Sequence, residues 1–515
     1  PSGPWPWMIL DVDLDTNDMT DRDSDVPDQS WPGYPRNQFR NWTTDQVKRS
    51  KMFEKCSTNQ YSTICWMDVR EPDGKFTKSD VGGKGDTTVV STQDPDEFWE
   101  ICDLQGPENI RVRSLFVDDL TQPVLRMLGT RYNIEPFFFT SSINWIPSRY
   151  QEAPRHREGD HITITLPFLR SQQKSQSSCP PSSPTDPEWG ITTSRWLITL
   201  SHSPQMSLLD GRMFFIDLLA IHMVRDVKEN TIISYHPESA GRRTSAKHLC
   251  RLIQLVGESV YWQKIFSQSK DPTFLFLAIL WYALYAWDES LDLLYRHVID
   301  LELQVLHLDN ISLTHDLHVL EARLLYYQSL LHSFKISVTF IKTTPNPAME
   351  SHGVTNKERR DSFALMKKEC NNLLSEIDRL ERQRTMLSNR LKNAMDLVFA
   401  IVNTEDSRRM QRFSYLTMVF LPATFIASIF TMNVQEINNG KQTLGHYVIA
   451  TVLLTVFTVY IVVMLQRQNW VHRRQATLLQ RAVWPIHLLW IISLPLQDVW
   501  VRRYRRSPTV IDVTA

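Results

Sequence analysis

The run FSYLTMVFLPATFIASIFTMN, residues 413–433, constrains this chain more than any other stretch. From 413 to 432 its only ionisable side chain is the phenol of Tyr415. A helix of that length, rising about 1.5 Å per residue, crosses a hydrocarbon core of about 30 Å. A second apolar run, 444–465, follows after the short stretch 434–443 and carries only His446 as a possible charge. Backbone polar groups find no water in lipid, so both runs are expected to be helical and to form a tight membrane hairpin.

The flanks set the orientation. Arg408, Arg409 and Arg412 precede the first run, and Arg467, Arg473, Arg474 and Arg481 follow the second. The connecting stretch holds one acid, Glu436, and one base, Lys441. Excess Lys and Arg marks the cytoplasmic side, so both termini are expected inside and the loop outside. The basic tail, 467–515, contains one more apolar stretch, 482–501, interrupted by Pro485, His487, Pro495 and Asp498. A third crossing would leave Arg502, Arg503, Arg505 and Arg506 outside, so an interfacial segment anchored by Trp484, Trp490 and Trp500 is expected.

Ahead of the hairpin lies enough apolar sequence for two or three structural units, at 42% hydrophobic over 515 residues. Acids and bases nearly balance, 57 against 56, which points to neither nucleic acid nor an acidic partner. The six cysteines are widely spaced without a Cys-x-x-Cys pair, against a zinc cluster or a disulfide framework. The opening PSGPWPWMIL has neither an initiator methionine nor the basic region of a signal peptide, so a fragment is expected.

Residues 1–95, rich in Pro, Asp, Ser, Thr and Gly, are expected to be disordered. Asp11, Asp13 and Asp15 mimic the opening of a calcium loop, but Thr16 and Arg22 stand where its glycine and terminal glutamate belong. Residues 81–86, VGGKGD, lack the spacing of a phosphate loop and read as a linker. From 96 to 270 the pattern predicts a mixed α/β cytosolic domain. Its strand-like runs are 111–117, 135–140, 162–166, 195–200, 213–222 and 231–235, with a disordered insertion over 171–188. His161, His222 and His236 show no ligand spacing and read as core or surface histidines. The apolar run 274–287 is too short to span a bilayer and is expected to be a buried helix. Helices over 289–308 and 314–342 complete the segment 271–355, closed by Pro345-Asn346-Pro347. The fold class is therefore α+β: a mixed α/β domain, long helices and a two-helix membrane hairpin. No nucleophile–base–acid spacing, phosphate loop or metal triad is found, and an enzyme is not expected.

Between 356 and 412 a stalk helix is predicted. Phe363, Met366, Cys370, Leu373, Ile377, Leu380, Arg384, Leu387, Leu391, Ala394, Val398 and Ile401 follow one another in alternating steps of 3 and 4. Such a repeat packs helix on helix with a left-handed twist, and only Arg384 breaks its apolar character. Carried through to 431, the helix would be a rod of roughly 110 Å. Inside the first membrane run, Thr417, Thr424, Ser428 and Thr431 share one stripe, which Met410, Phe413 and Leu421 extend. The stripe reads either as a close-packing surface or as a pore wall.

The text YLTMVFLPATFIASIFTMNV resembles the first membrane helix and signature tripeptide, usually Gly-Met-Asn, of the CorA family of divalent-metal transporters. The short outer stretch 434–443 and Tyr447 soon after it are similar to that family's loop and second helix. LGTRYNIEPFFF, NWIPSRY, GDHITITLPFLR and SVYWQKIF resemble the family's fungal branch, so the likeness covers roughly residues 95 to 470. The resemblance implies a homopentamer in lipid, without a cofactor, moving a divalent cation, Mg²⁺ above all. The upper stalk is then expected to pack within the subunit and the lower stalk between subunits. Asn433, Met432, Thr431, Ser428 and Thr424 would line the pore and its selectivity ring, and Leu421, Thr417, Phe413 and Met410 would form the gate. Mg²⁺ holds its waters tightly, and neutral oxygens can accept hydrogen bonds from those waters without stripping them. An apolar constriction gates by dewetting. No resident metal site is assigned beyond a hydrated ion at Asn433.

Three departures stand out. Thr431 replaces the signature glycine, VQEINNGKQT lacks the family's Met-Pro-Glu-Leu text, and the passage from Asp406 to Gln411 is short, bringing Arg408 and Arg409 beside the gate. Other readings of the same sequence are a zinc or other divalent-ion transporter and a non-conducting membrane scaffold or metal sensor.

Overall fold

The computed structural model describes residues 30–71, 73–78, 86–103, 110–173, 206–207, 212–227, 229–237, 244–307, 311–351, 353–431 and 444–465. The chain divides into two compact units, 1–396 and 397–515.

The first unit is built on one sheet. After a 3-10 turn at Trp31–Gly33 and helix α1 (Thr44–Ser50), the strands β1 (Tyr61–Arg70), β2 (Phe76–Lys78) and β3 (Thr87–Ser91) precede α2 (Asp96–Asp103). There follow β4 (Ile110–Asp118), α3 (Gln122–Arg131), α4 (Phe137–Ile143), β5 (Ser148–Arg155), β6 (Gly159–Gln173), β7 (Met206–Ser207), β8 (Arg212–Asp226) and β9 (Thr231–His236). The strand order is β2-β1-β4-β9-β8-β6-β5, with β3 on β1 and β7 on β8. Among the described strands only the β4–β9 pair is parallel; the other pairs are antiparallel.

A core on one side of the sheet gathers Ile64, Trp66, Leu115, Val117, Leu218 and Ile233 with Val124, Leu128, Phe138 and Phe139 from α3 and α4. On β6 and β8 the facing pair Asp160 and Arg225 is fully buried. Arg225 Nε donates to Asp160 Oδ1 at 2.6 Å, and its Nη1 reaches Thr273 Oγ1 at 3.2 Å and the Thr344 carbonyl at 3.4 Å. One guanidinium therefore pins the sheet to the helices that follow. Gly159 lets the two strands start this close, because a Cβ there would meet the Arg225 carbonyl oxygen at 1.9 Å.

Those helices are α5 (Ala246–Gly257), α6 (Val260–Gln268), α7 (Thr273–His307), α8 (Ile311–Thr343) and α9 (Asn356–Phe430). In α7 the run from Phe274 to Leu280 is at most 2% exposed, so the apolar stretch expected to be a buried helix is core over its first half, while Tyr285 further along is 66% exposed. A capping box opens α9: Glu358 accepts from the Thr355 backbone at 2.9 Å, and Thr355 Oγ1 accepts from the Glu358 N–H at 3.2 Å. Arg379 pairs with Asp288 at 2.8 Å and Lys335 with Asp378 at 2.6 Å; Arg390 binds Glu302 through Nε at 3.0 Å, and Lys392 approaches Glu321 at 4.0 Å. These pairs run in the same direction along α7 and α9 and in opposite directions along α8 and α9. The predicted seam lies inside this bundle from Met366 to Ala394, with Cys370, Leu373, Ile377, Leu380 and Leu391 fully buried. Phe363, at 47% exposure, stands outside it.

Two expectations fail. Residues 30–71 and 86–95 are not disordered: Tyr34, Trp42, Met52 and Trp66 are each at most 2% exposed. The Tyr34 hydroxyl donates to the Ile134 carbonyl at 2.6 Å, and its ring fills the space a Cβ on Gly129 would need. This segment shows no periodicity because scattered aromatics, not a regular stripe, carry its burial. β1 is buried on both faces and includes polar Ser62 and Asp68, which erases the alternation that marks a strand. Likewise, 135–140 is not a strand. Pro136 sits in helical backbone (φ −55°, ψ −13°) and starts α4, and burial of Phe138 and Phe139 overrides their strand propensity. The strands expected at 111–117, 162–166, 213–222 and 231–235 are present as β4, β6, β8 and β9. Those at 195–200, the bulk of the insertion and the linker 81–85 lie outside the described residues.

Candidate functional site

In the second unit α9 continues to Phe430, and α10 (Leu444–Leu465) follows. Between 399 and 430 Pro422 is the one buried residue among those whose side chains are described. Met410, Phe413, Phe420, Leu421 and Phe425 are 57% to 69% exposed, and so on α10 are Ile449, Leu453, Val456 and Phe457. Large apolar side chains exposed all round a helix have a place in hydrocarbon or against other helices, not in water.

At about 100° per residue, Met410, Phe413, Thr417, Leu421, Thr424, Ser428 and Thr431 fall within an arc of about 80°. Every hydroxyl on this arc turns its proton back into the helix. Thr417 Oγ1 meets the Ser414 carbonyl at 2.9 Å, Thr424 Oγ1 the Leu421 carbonyl at 2.9 Å, Ser428 Oγ the Phe425 carbonyl at 2.8 Å and Thr431 Oγ1 the Ser428 carbonyl at 2.8 Å. A hydroxyl so bonded has spent its one donor and keeps its oxygen lone pairs facing outward. The arc therefore presents acceptors. Water molecules around a cation point their hydrogens outward, so acceptors are what a hydrated cation requires of a wall.

Pro422 lies within α9 without ending it, although its ring nitrogen cannot donate to the carbonyl one turn back. Thr431 leaves the regular helix but still donates its N–H to the Ala427 carbonyl at 3.0 Å, so the last turn closes without a glycine. At the other end, Arg409 lies 3.7 Å from Glu405 and 4.0 Å from Asp406, which offset part of the positive charge beside Met410 and Phe413. Of the predicted site residues, Met410, Phe413, Thr417, Leu421, Thr424, Ser428 and Thr431 are on this one face. Met432, Asn433 and the stretch 434–443 lie outside the described residues, as does the tail with its apolar segment 482–501. Among the described residues no three His, Cys, Asp or Glu side chains stand together to hold a metal ion.

Residues 227–468 match the family model described as CorA-like Mg²⁺ transporter protein. This segment is similar to CorA-like Mg²⁺ transporters. It spans a little under half of the chain, from β9 through the helical bundle to α10. Among solved structures the chain is similar to the complete CorA magnesium transporter from Methanocaldococcus jannaschii, at 14% identity over 79% of this chain and 98% of that one, with a TM-score of 0.49. It is also similar to the full-length CmaX protein (12% identity, 78% and 96% coverage, TM-score 0.36) and to the soluble domain of the Methanocaldococcus jannaschii CorA (14%, 58% and 92%, TM-score 0.35). Among curated proteins none matches.

A polar group inside the first unit has no signal in the sequence. His161 and His222 lie on adjacent strands with ring centroids 5.3 Å apart, and the Glu152 carboxylate lies 4.0 Å from His161. Spacing along the chain conceals them, because 61 residues separate the two histidines and only the β6–β8 register brings them together.

Proposed function

We propose that the protein carries a divalent cation, Mg²⁺, across a membrane through a homopentameric pore whose wall is the hydroxyl face of α9. The observation that carries this reading is the hydrogen-bond direction on that face: Thr417, Thr424, Ser428 and Thr431 all donate inward and leave acceptor oxygens outward. Repeated around an axis, these oxygens would line a path for an ion that keeps its waters, which suits Mg²⁺ because it dehydrates reluctantly. Asn433 would close the outer end with a ring of amide oxygens. Leu421, Phe413 and Met410 would form the dewetting constriction at the inner end. The family model matched by 227–468 is named for Mg²⁺ transport and supports the choice of ion.

In this reading α9 from 413 onward and α10 cross the bilayer, the 434–443 stretch faces outside, and the first unit and both termini face the cytoplasm, as the arginines at 408, 409 and 412 favour. The test is uptake of Mg²⁺, Zn²⁺, Co²⁺ and Ni²⁺ into liposomes holding the purified full-length chain. Uptake led by Mg²⁺ is the expected result. Uptake led by Zn²⁺ would keep the pore and replace the ion, and no uptake by a correctly oligomeric protein would leave a scaffold or sensor.

A further inference from the structure

Under α4, on one face of the sheet, lies a group of polar side chains that the transport reading does not use. In the antiparallel register Tyr150 faces Thr163 and Thr163 faces His222, while Glu152 faces His161 one row along. Cross-strand partners share a face, and so do residues two apart on a strand, so all five side chains lie on the same side. Phe137 and Phe138 of α4 cover them, 5.1 Å from the Tyr150 ring and 5.3 Å from His222. His222 Nδ1 is engaged with Thr163 Oγ1 at 2.8 Å, but its Nε2 is buried without a hydrogen-bond partner, and so is Glu152 Oε1.

A carboxyl and an imidazole 4.0 Å apart and mostly covered, with an unmatched oxygen and nitrogen beside them, favour one proton over separated charges. We propose that Glu152 and His161, backed by His222, form a proton-binding site that makes the α4-covered face of the first unit responsive to pH. Burial, then the neighbouring charge of Glu135, pushes the Glu152 carboxyl up to about 8 against the downward pull of the Tyr150 hydroxyl and the Glu135 backbone. Burial holds both histidines below their usual value, although Asp160 and Asp226 pull His161 upward while Arg155 pushes it down. The remaining titratable groups facing the site are the phenols of Tyr150 and Tyr34, both raised by burial and by the negative charge of Glu152. Near neutral pH the site therefore holds one proton as the neutral acid. Losing it places a carboxylate under α4 beside Glu135, whose own carboxylate accepts from Asn41 at 3.1 Å.

The sign of the effect follows. The native acid binds its proton more tightly than the unfolded one, at 4.5, so Glu152's contribution to stability falls as pH rises from about 4.5 to about 8. The two histidines, held below their unfolded 6.5, contribute the opposite slope up to that value, so the site's net loss of stability falls between about 6.5 and about 8.

The test uses the full-length chain in lipid nanodiscs and infrared difference spectroscopy, which needs no transport and so fails or succeeds apart from the pore reading. A protonated-carboxyl stretch is expected at neutral pH, absent in Glu152→Gln and bleached as pH rises through about 8. Glu152→Gln mimics the neutral acid and should fold, with a melting temperature that no longer falls over that range. His161→Gln should keep the band and move its midpoint, because it removes the imidazole 4.0 Å from the carboxyl. A spectrum unchanged by Glu152→Gln, or a midpoint unmoved by His161→Gln, would overturn the proposal.

Discussion

Helix α9 contains two regions that one sequence pattern treats alike. From Met366 to Ala394 the apolar residues of its seam are buried against the chain's own α7 and α8. From 413 to 430 residues of the same character are exposed, and the polar residues among them have turned their donors inward. The difference lies in what each region packs on, not in helix formation. The first is completed by its own chain and behaves as protein core. The second stays exposed within the described chain, and under the proposed function a bilayer and other copies of the helix would complete it.

The comparison can be broken in four places. Asn433→Leu should reduce Mg²⁺ uptake to background in liposomes while leaving the first unit's thermal unfolding unchanged; retained uptake would remove the ring from the exposed region. In the buried region Ile377→Ala should cost about 2–5 kcal/mol of stability in denaturant unfolding. The equivalent Ile401→Ala, at a half-buried seam position, should stay within about 0.5 kcal/mol in the monomer. Equal costs at 377 and 401 would show that the lower seam is also packed within the chain. Thr424→Val keeps the shape and removes an outward acceptor, so flux should fall about tenfold, the equivalent of one hydrogen bond of about 1.4 kcal/mol, and Thr424→Ser should restore it.

Arg384 gives a smaller effect of opposite sign. It lies 6% exposed in the buried seam with its Nε unpaired, and burial lowers its guanidinium's affinity for the proton. Arg384→Leu should raise stability by about 1 kcal/mol in the monomer, as apolar replacement of a buried charge often does. A loss of stability in the oligomer alone would show that a second subunit supplies this arginine's partner.

Much of this was legible in residue order. The 3–4 repeat predicted α9, the two apolar runs predicted where its exposed part and α10 fall, and the alternation at 162–166 predicted β6. Each is a local signal, because a periodic stripe states its own surroundings. The segment 30–71 was not legible, since Tyr34, Trp42 and Met52 are buried by distant residues such as those of α3 and not by a pattern of their own. Nor was α4, where aromatic residues with strand propensity follow a proline in helical backbone.

By itself the sequence determined the membrane-length apolar runs, the arginines that flank them and the hydroxyl spacing, because helix period and bilayer thickness act on neighbouring residues. Only the tertiary structure decided that Arg225 finds Asp160. It alone brought Glu152, His161 and His222 together, because sheet register joins residues that the chain keeps far apart.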